Sequence, residues 1–403
     1  MKFLYIDPGT GSMLFTILIG VISAGIYGVR GFFMKLKYSS KKDVKQNDDV
    51  IPYVIFSDSK AYWNTFKSVC DEFEKREIPL TYYTMSEDDP ALSCDYKFVN
   101  REFIGDGNSA FAKMNMLKAN IVLSTTPGLD VYQWKRSKDV KYYVHIPHMI
   151  DDVTGYRMFG LDYYDAVLLS GTHQEEGLRK LEELRNLPAK DTEIVGLPYF
   201  DELYKKVKTS ERVKNEVPVI LLAPSWGPSS ILNRYGSKAI DALLSTGYKI
   251  VVRPHPQSRR SEKDMLDELM NKYPDLEWNF DNDNFDILNR ADLLISDFSG
   301  VIFDFSLVFG KPIIYADTSF DKGPYDAWWI ENEMWKFKVL PELGKQLKEE
   351  NLSNIKPLLD ECLTSESIRD NIDKVKDECW HHRGESAKYI VDYMISRSEA
   401  NNQ

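Results

Sequence analysis

The chain has 403 residues, long enough for two α/β domains. Its formal net charge of -11 and the lack of a broad basic stripe in its globular part argue against a nucleic-acid partner. Four scattered cysteines, Cys70, Cys94, Cys362 and Cys379, lack CxxC spacing and suit free thiols in a reducing compartment rather than a disulfide scaffold or a zinc site.

Residues Met13 to Val29 carry no charge. Extended through Arg30 to Met34, the segment spans about 33 Å as a helix, enough for a bilayer core if Arg30 snorkels. It predicts an N-terminal membrane helix over 1–34, with an interfacial helix as the alternative. Lys2 is the only basic residue before it, and no small-residue cleavage site follows, so a cleaved signal peptide is not expected. Arg30, Lys35, Lys37, Lys41, Lys42 and Lys45 come after it, which predicts a cell-membrane protein with its catalytic domains on the cytoplasmic side. Gly20, Ala24 and Gly28 form a small-residue stripe that leaves an oligomer open, although glycine is common in membrane helices anyway. Residues 35–49 read as a basic linker able to touch anionic lipid.

A first α/β domain is expected over 50–205. Tyr53–Phe56 is a buried-type strand, Ala61–Lys75 an amphipathic helix, and Ile121–Ser124 a strand ending in Thr125-Thr126-Pro127-Gly128. The next strand runs from Lys141 to His145, with His148 three residues on. Tyr163–Leu169 reads as a strand, Gln174–Leu187 as a helix, and Ile194–Pro198 closes the domain. His173 is expected to sit in a capping region. Alternating strands and helices predict a mainly parallel sheet, on which ligands gather at the carboxyl ends of the strands.

A second domain is expected over 215–403. It opens with Val217–Ala223, whose end carries Ser225 and Trp226, the latter able to stack on a base or fill a wall. Tyr248–Val252 runs into Arg253-Pro254-His255-Pro256: a planar fork for phosphate oxygens and a proton donor, stiffened by prolines. Leu293–Ile295 meets Ser296-Asp297-Phe298-Ser299-Gly300 before a new apolar run, which predicts strand, tight turn and helix. Such a turn can leave helix N–H groups open to phosphate, with an ordinary N-cap as the plainer reading. Asp281 and Asp283 mimic a DxD metal motif but read as a polar turn, and no metal or cofactor is expected. Trp328, Trp329 and Trp335 could gate a cleft or be buried.

Arg253-Pro-His-Pro256, Ser296-Asp-Phe-Ser-Gly-Val-Ile-Phe-Asp-Phe305 and Gly196-Leu-Pro-Tyr-Phe-Asp201 together resemble the CDP-glycerol glycerophosphotransferase family of teichoic-acid-type polymer synthesis. The resemblance runs from about His145 to about Asp317. It implies a GT-B-like architecture of two facing Rossmann-like domains, the second binding the donor. It implies a transferase that moves glycerol phosphate from CDP-glycerol, or another CDP-alditol, to a lipid-linked acceptor and releases CMP. His145, directly after its strand, would be the base for the acceptor hydroxyl, with His148 as the alternative. His255 would be the second catalytic histidine, and with Arg253, Ser296, Asp297, Ser299 and Gly300 it would hold the donor pyrophosphate. A Gly or Ser commonly follows the first histidine in the family, whereas Ile146-Pro147 stands here. A GT-B sugar transferase and a non-catalytic membrane scaffold remain the alternatives.

Overall fold

The computed structural model describes residues 50–400 apart from 212, 282, 298 and 317–319. The expected membrane helix at 1–34 and the basic linker at 35–49 lie outside the described residues. Among the described residues, no helix is long and apolar enough to cross a membrane.

Two parallel sheets make two lobes. In the first, β1 (Ile51–Ser57), β2 (Leu80–Thr84), β3 (Val99–Phe103), β4 (Ala119–Ser124), β5 (Val140–His145), β6 (Ala166–Leu169) and β7 (Asp191–Ile194) lie in the order β3-β2-β1-β4-β5-β6-β7. In the second, β8 (Val219–Leu222), β9 (Lys249–Val252), β10 (Glu277–Trp278), β11 (Leu293–Ser296), β12 (Ile313–Ala316) and β13 (Gly344–Leu347) lie in the order β10-β9-β8-β11-β12-β13. Both orders reverse direction once, between β1 and β4 and between β8 and β11. Loops leaving the two strands at such a reversal diverge and open a crevice at the carboxyl ends.

The central strands are apolar on both faces because helices cover both. Val54, Ile55 and Phe56 in β1 and Ile220, Leu221 and Leu222 in β8 are fully buried. The helix Trp63–Lys75 buries Trp63, Phe66, Val69, Cys70 and Phe73, a spacing that keeps one stripe on the sheet. Strand β6 starts at Ala166 rather than Tyr163, because Tyr164 is turned back by its N–H bond to the Leu161 carbonyl.

The lobes exchange helices. Helix Pro198–Thr209, expected in the first domain, buries Phe200 and Leu203 in the core of the second. Helix Ser386–Ala400, expected in the second, buries Ile390, Val391 and Met394 against Ile55, Phe66 and Phe73 of the first. Asp201 pins this crossing by accepting from the Trp380 indole at 3.0 Å, Gly384 N–H at 2.8 Å and Ser386 N–H at 2.9 Å. A second tie joins Asp326 to Arg185, while Asp326 also accepts from Phe159 N–H at 2.7 Å.

Candidate functional site

The carboxyl ends of β9, β8 and β11 are neighbours, so the loops at Arg253–His255, Ser225–Trp226 and Asp297–Gly300 converge on one edge of the second sheet. Asp297 organises this edge. It is fully buried, and its carboxylate accepts from Ser225 N–H at 2.9 and 3.1 Å and from Ile231 N–H at 3.3 Å. It therefore ties the loop after β8, and the start of helix Ile231–Leu244, to the end of β11. Ser296 is likewise fully buried, with its hydroxyl donating to the Ala223 carbonyl at 2.7 Å. Both were expected to hold donor phosphate. In the structure their polar atoms are engaged by backbone and build the turn.

Ser299 and Gly300 are the open part of that turn. Gly300 is exposed, has an ordinary φ of -59°, and a Cβ there would meet nothing within 4 Å. The protein's own packing gives no reason for glycine at this position. The expected helix is shorter than its sequence suggests: Val301–Phe303 forms one turn and passes at once into a π-turn over Asp304–Val308. A single turn sums little macrodipole, so any anion here relies on individual N–H groups and side chains. Lys336 supplies a cation. It lines the same narrow crevice as Asp297 and Ser299 and pairs with Asp151 of the first lobe at 3.1 Å. Its position, forty residues downstream of Ser296 in an aromatic stretch, carried no sequence signal.

His255 is partly buried, which lowers its pKa, with Asp297 and Glu262 partly opposing the shift. Its Nδ1 accepts from Gln257 N–H at 3.1 Å, so in the neutral ring Nε2 carries the proton and is a donor. Arg253 is directed elsewhere. Its guanidinium bonds to the Asn279 side chain and to the Asp281 carbonyl at 2.8 Å, and it lines a cavity of about 530 Å³ together with Lys67, Tyr199, Lys206 and Asn284. Arg253 and Ser299 thus border different spaces. Ser225 is buried, whereas Trp226 is 48% exposed beside it, a face free to stack. Asp283 accepts from Phe285 N–H at 2.9 Å, as a polar turn does.

The two first-lobe histidines have opposite surroundings. His145, the expected base, is 0% exposed, its ring 5.1 Å from that of Tyr156 and 4.9 Å from that of Tyr164. Burial holds its pKa well below the usual 6.5. Both of its ring nitrogens are enclosed without a hydrogen-bond partner among the described residues. His148, the alternative, is partly exposed; its Nδ1 lies 2.9 Å from Thr125 Oγ1, and Tyr62 packs on its ring at 4.7 Å. Burial lowers its pKa to about 4. His173 does sit in a capping region, its Nε2 2.7 Å from the Ile150 carbonyl. A larger cavity, about 580 Å³ between helix His173–Arg185 and the segment 327–342, is lined by His173 and Trp335 and by none of the expected site residues.

Residues 162–328 match the family described as CDP-Glycerol:Poly(glycerophosphate) glycerophosphotransferase. The matched segment belongs to that family. The chain is accordingly a transferase of the CDP-glycerol glycerophosphotransferase type, and the match spans β6 to β12 with the Arg253, His255 and Asp297–Gly300 loops inside it. Among solved structures, the wall teichoic acid polymerase TagF aligns with a TM-score of 0.57 at 15% identity, over 96% of this chain and 99% of that one. A TagF variant soaked with CDPG for 30 minutes aligns at 0.59 with the same identity and coverage. UDP-GlcNAc 2-epimerase from Neisseria meningitidis, bound to UDP-GlcNAc, aligns at 0.56 and 11% identity over 86% of this chain and 100% of that one. Likeness at such identities is likeness of fold. No curated protein matches the chain in sequence.

Proposed function

We propose that this enzyme transfers glycerol phosphate from CDP-glycerol to a hydroxyl of a membrane-linked acceptor, releasing CMP, in teichoic-acid-type polymer synthesis. The observation that carries the reading is the convergence of the loops after β9, β8 and β11 at the reversal of the second sheet, within the segment that matches the family. The acceptor oxygen attacks the glycerol-bearing phosphorus, an O–P bond forms, and the bond to CMP breaks with its electron pair leaving on CMP. The hydroxyl proton goes to His148 Nε2. That atom is free to accept it when the ring proton sits on Nδ1 and is donated to Thr125.

A pKa of about 4 keeps His148 neutral at pH 7 but makes it a weak base. Phosphoryl transfer tolerates this, because its loose transition state gains more from position and charge stabilisation than from base strength. His255 Nε2–H, Lys336 and the Ser299–Gly300 backbone are the groups suited to the departing phosphate. Residues 1–34 would anchor the protein, and the basic residues that follow favour cytoplasmic lobes, where a soluble nucleotide donor meets a lipid-linked acceptor. The test is CMP release by detergent-solubilised enzyme offered CDP-glycerol or CDP-ribitol with a membrane extract. CMP from one donor supports the reading and names the alditol. No CMP from either, with a nucleoside diphosphate released from a nucleotide sugar instead, overturns it.

A further inference from the structure

The crevice of the first sheet lies between β1 and β4, and Asp58 stands at the end of β1 on its edge. Asp58 is partly exposed, yet its Oδ1 is enclosed and has no hydrogen-bond partner among the described residues. A carboxylate oxygen withdrawn from water without a donor is costly and is rare in folded proteins unless a ligand or a water serves it. Burial raises the pKa of Asp58, and hydrogen bonds to its carboxylate from the Thr126 hydroxyl and its own backbone N–H work against the shift without serving the enclosed Oδ1. The Tyr156 hydroxyl is also enclosed, facing the Thr125 hydroxyl and the His148 backbone. Two tyrosines link this edge to His148. Tyr62, whose pKa is raised by burial and then by the Asp58 charge, packs on the His148 ring, and the Tyr156 ring lies 6.0 Å from it.

The chemistry of the product suggests what such a site would hold. Each transfer of glycerol phosphate leaves a chain end with two hydroxyls on adjacent carbons. If that end is the next acceptor, one hydroxyl must face the base and the other needs a partner of its own, or the wrong oxygen is as well placed to react.

We propose that Asp58 is the specificity-determining residue of the acceptor site, accepting a hydrogen bond from the vicinal hydroxyl of a polyol end while His148 faces the attacking one. The inference rests on the transfer reading above. Asp58 follows β1 on the carboxyl edge from which β4 and β5 lead to Thr125 and His148, and Tyr62, which feels the Asp58 charge and packs on the His148 ring, stands between the two.

The test compares acceptors ended by glycerol phosphate and by 3-hydroxypropyl phosphate, which lacks the second hydroxyl. Wild type should favour the glycerol end by about tenfold or more in kcat/KM. Asp58→Ala should erase that preference by losing rate on the glycerol end alone, Asp58→Asn should keep part of it, and the Kd for CDP-glycerol should not change in either. Equal losses on both acceptors, or no preference in wild type, overturn the assignment. If wild type releases no CMP with any acceptor, binding of the glycerol-ended probe followed by NMR separates the two ideas. Binding lost in Asp58→Ala upholds the hydroxyl site and sinks only the transfer reading; equal binding in both proteins sinks the hydroxyl site.

Discussion

Ser57-Asp58 and Ser296-Asp297 are the same two residues at the same place, the end of a central parallel strand beside a sheet reversal, and their carboxylates meet opposite fates. Asp297 is fully buried and receives backbone N–H groups from the loop after β8, whereas Asp58 is partly open and keeps one oxygen unbonded among the described residues. The difference lies in what the neighbouring strand delivers. The loop after β8 turns its N–H groups inward onto Asp297, and Ser124 at the end of β4 turns its hydroxyl away, to the Phe56 carbonyl at 2.8 Å. An acidic residue whose donors are supplied by backbone builds the site; one left short of donors is available to a ligand.

The largest effect should come from breaking the satisfied member. Asp297→Ala strands buried N–H groups of Ser225 and Ile231, and denaturant unfolding should show a loss of about 3 to 5 kcal/mol. A loss under about 1 kcal/mol would mean that the carboxylate does not hold the turn. Next come the histidines. His148→Ala should lower kcat about a hundredfold or more with little change in stability. His145→Phe, which fills the same enclosed space between two tyrosines, should stay active. A dead His145→Phe beside an active His148→Ala would reverse the assignment.

Acid should act on both lobes. Folded His148 and His173 take up protons only at about pH 4, while the unfolded chain takes them up at about 6.5. The unfolded state therefore binds more protons in that window, and stability should fall as pH drops from about 6.5 to about 4, by up to about 1.4 kcal/mol per pH unit for each histidine. Asp304, whose pKa burial raises from 3.8 to about 6, works the other way, because its folded form holds a proton that the unfolded form has lost. His145 and His255 act in the sense of the two histidines, and Asp58, Asp151, Asp201 and Asp326, all raised by burial, in the sense of Asp304. Denaturation at stepped pH separates them: Asp304→Asn, which lacks the retained proton, should lose more stability than wild type between about pH 6 and about pH 4. Transfer should likewise lose its base only at about pH 4, and an acid limb centred at about 6.5 would point to a different group.

The smallest effects sharpen the contrast. Asp58→Asn removes a charge that the fold leaves short of donors, so its unfolding free energy should equal or exceed that of wild type, unlike any change at Asp297. Gly300→Ala should leave stability within about 0.5 kcal/mol, since neither φ nor packing demands glycine, while raising KM for the donor if phosphate approaches that backbone.

Much of the architecture was legible in the residues. Runs such as Tyr53–Phe56, Ile121–Ser124 and Leu293–Ile295 mark buried parallel strands because only strands covered on both faces can be apolar at every position. The positions of the site loops after β9, β8 and β11 followed from the same runs. The roles of individual polar residues did not. Ser296 and Asp297 look like phosphate ligands in a linear reading because nothing local reveals the Ala223 carbonyl or the Ser225 N–H, each more than seventy residues away. His145 directly follows its apolar run, which favoured it as base, but a residue that still belongs to the strand's hydrogen-bonded register points into packed neighbours, and His148 beyond the turn reaches the edge.

The family and the two parallel α/β lobes could be read from the residues alone, since hydrophobic runs and short motifs are local properties of the chain. Which helix covers which sheet, which histidine is enclosed, and which of two identical Ser-Asp strand ends is left with an unmet hydrogen bond emerged only on folding. Those outcomes depend on groups brought together from distant positions, and a buried polar atom's role is fixed by the partner it meets rather than by its neighbours in sequence.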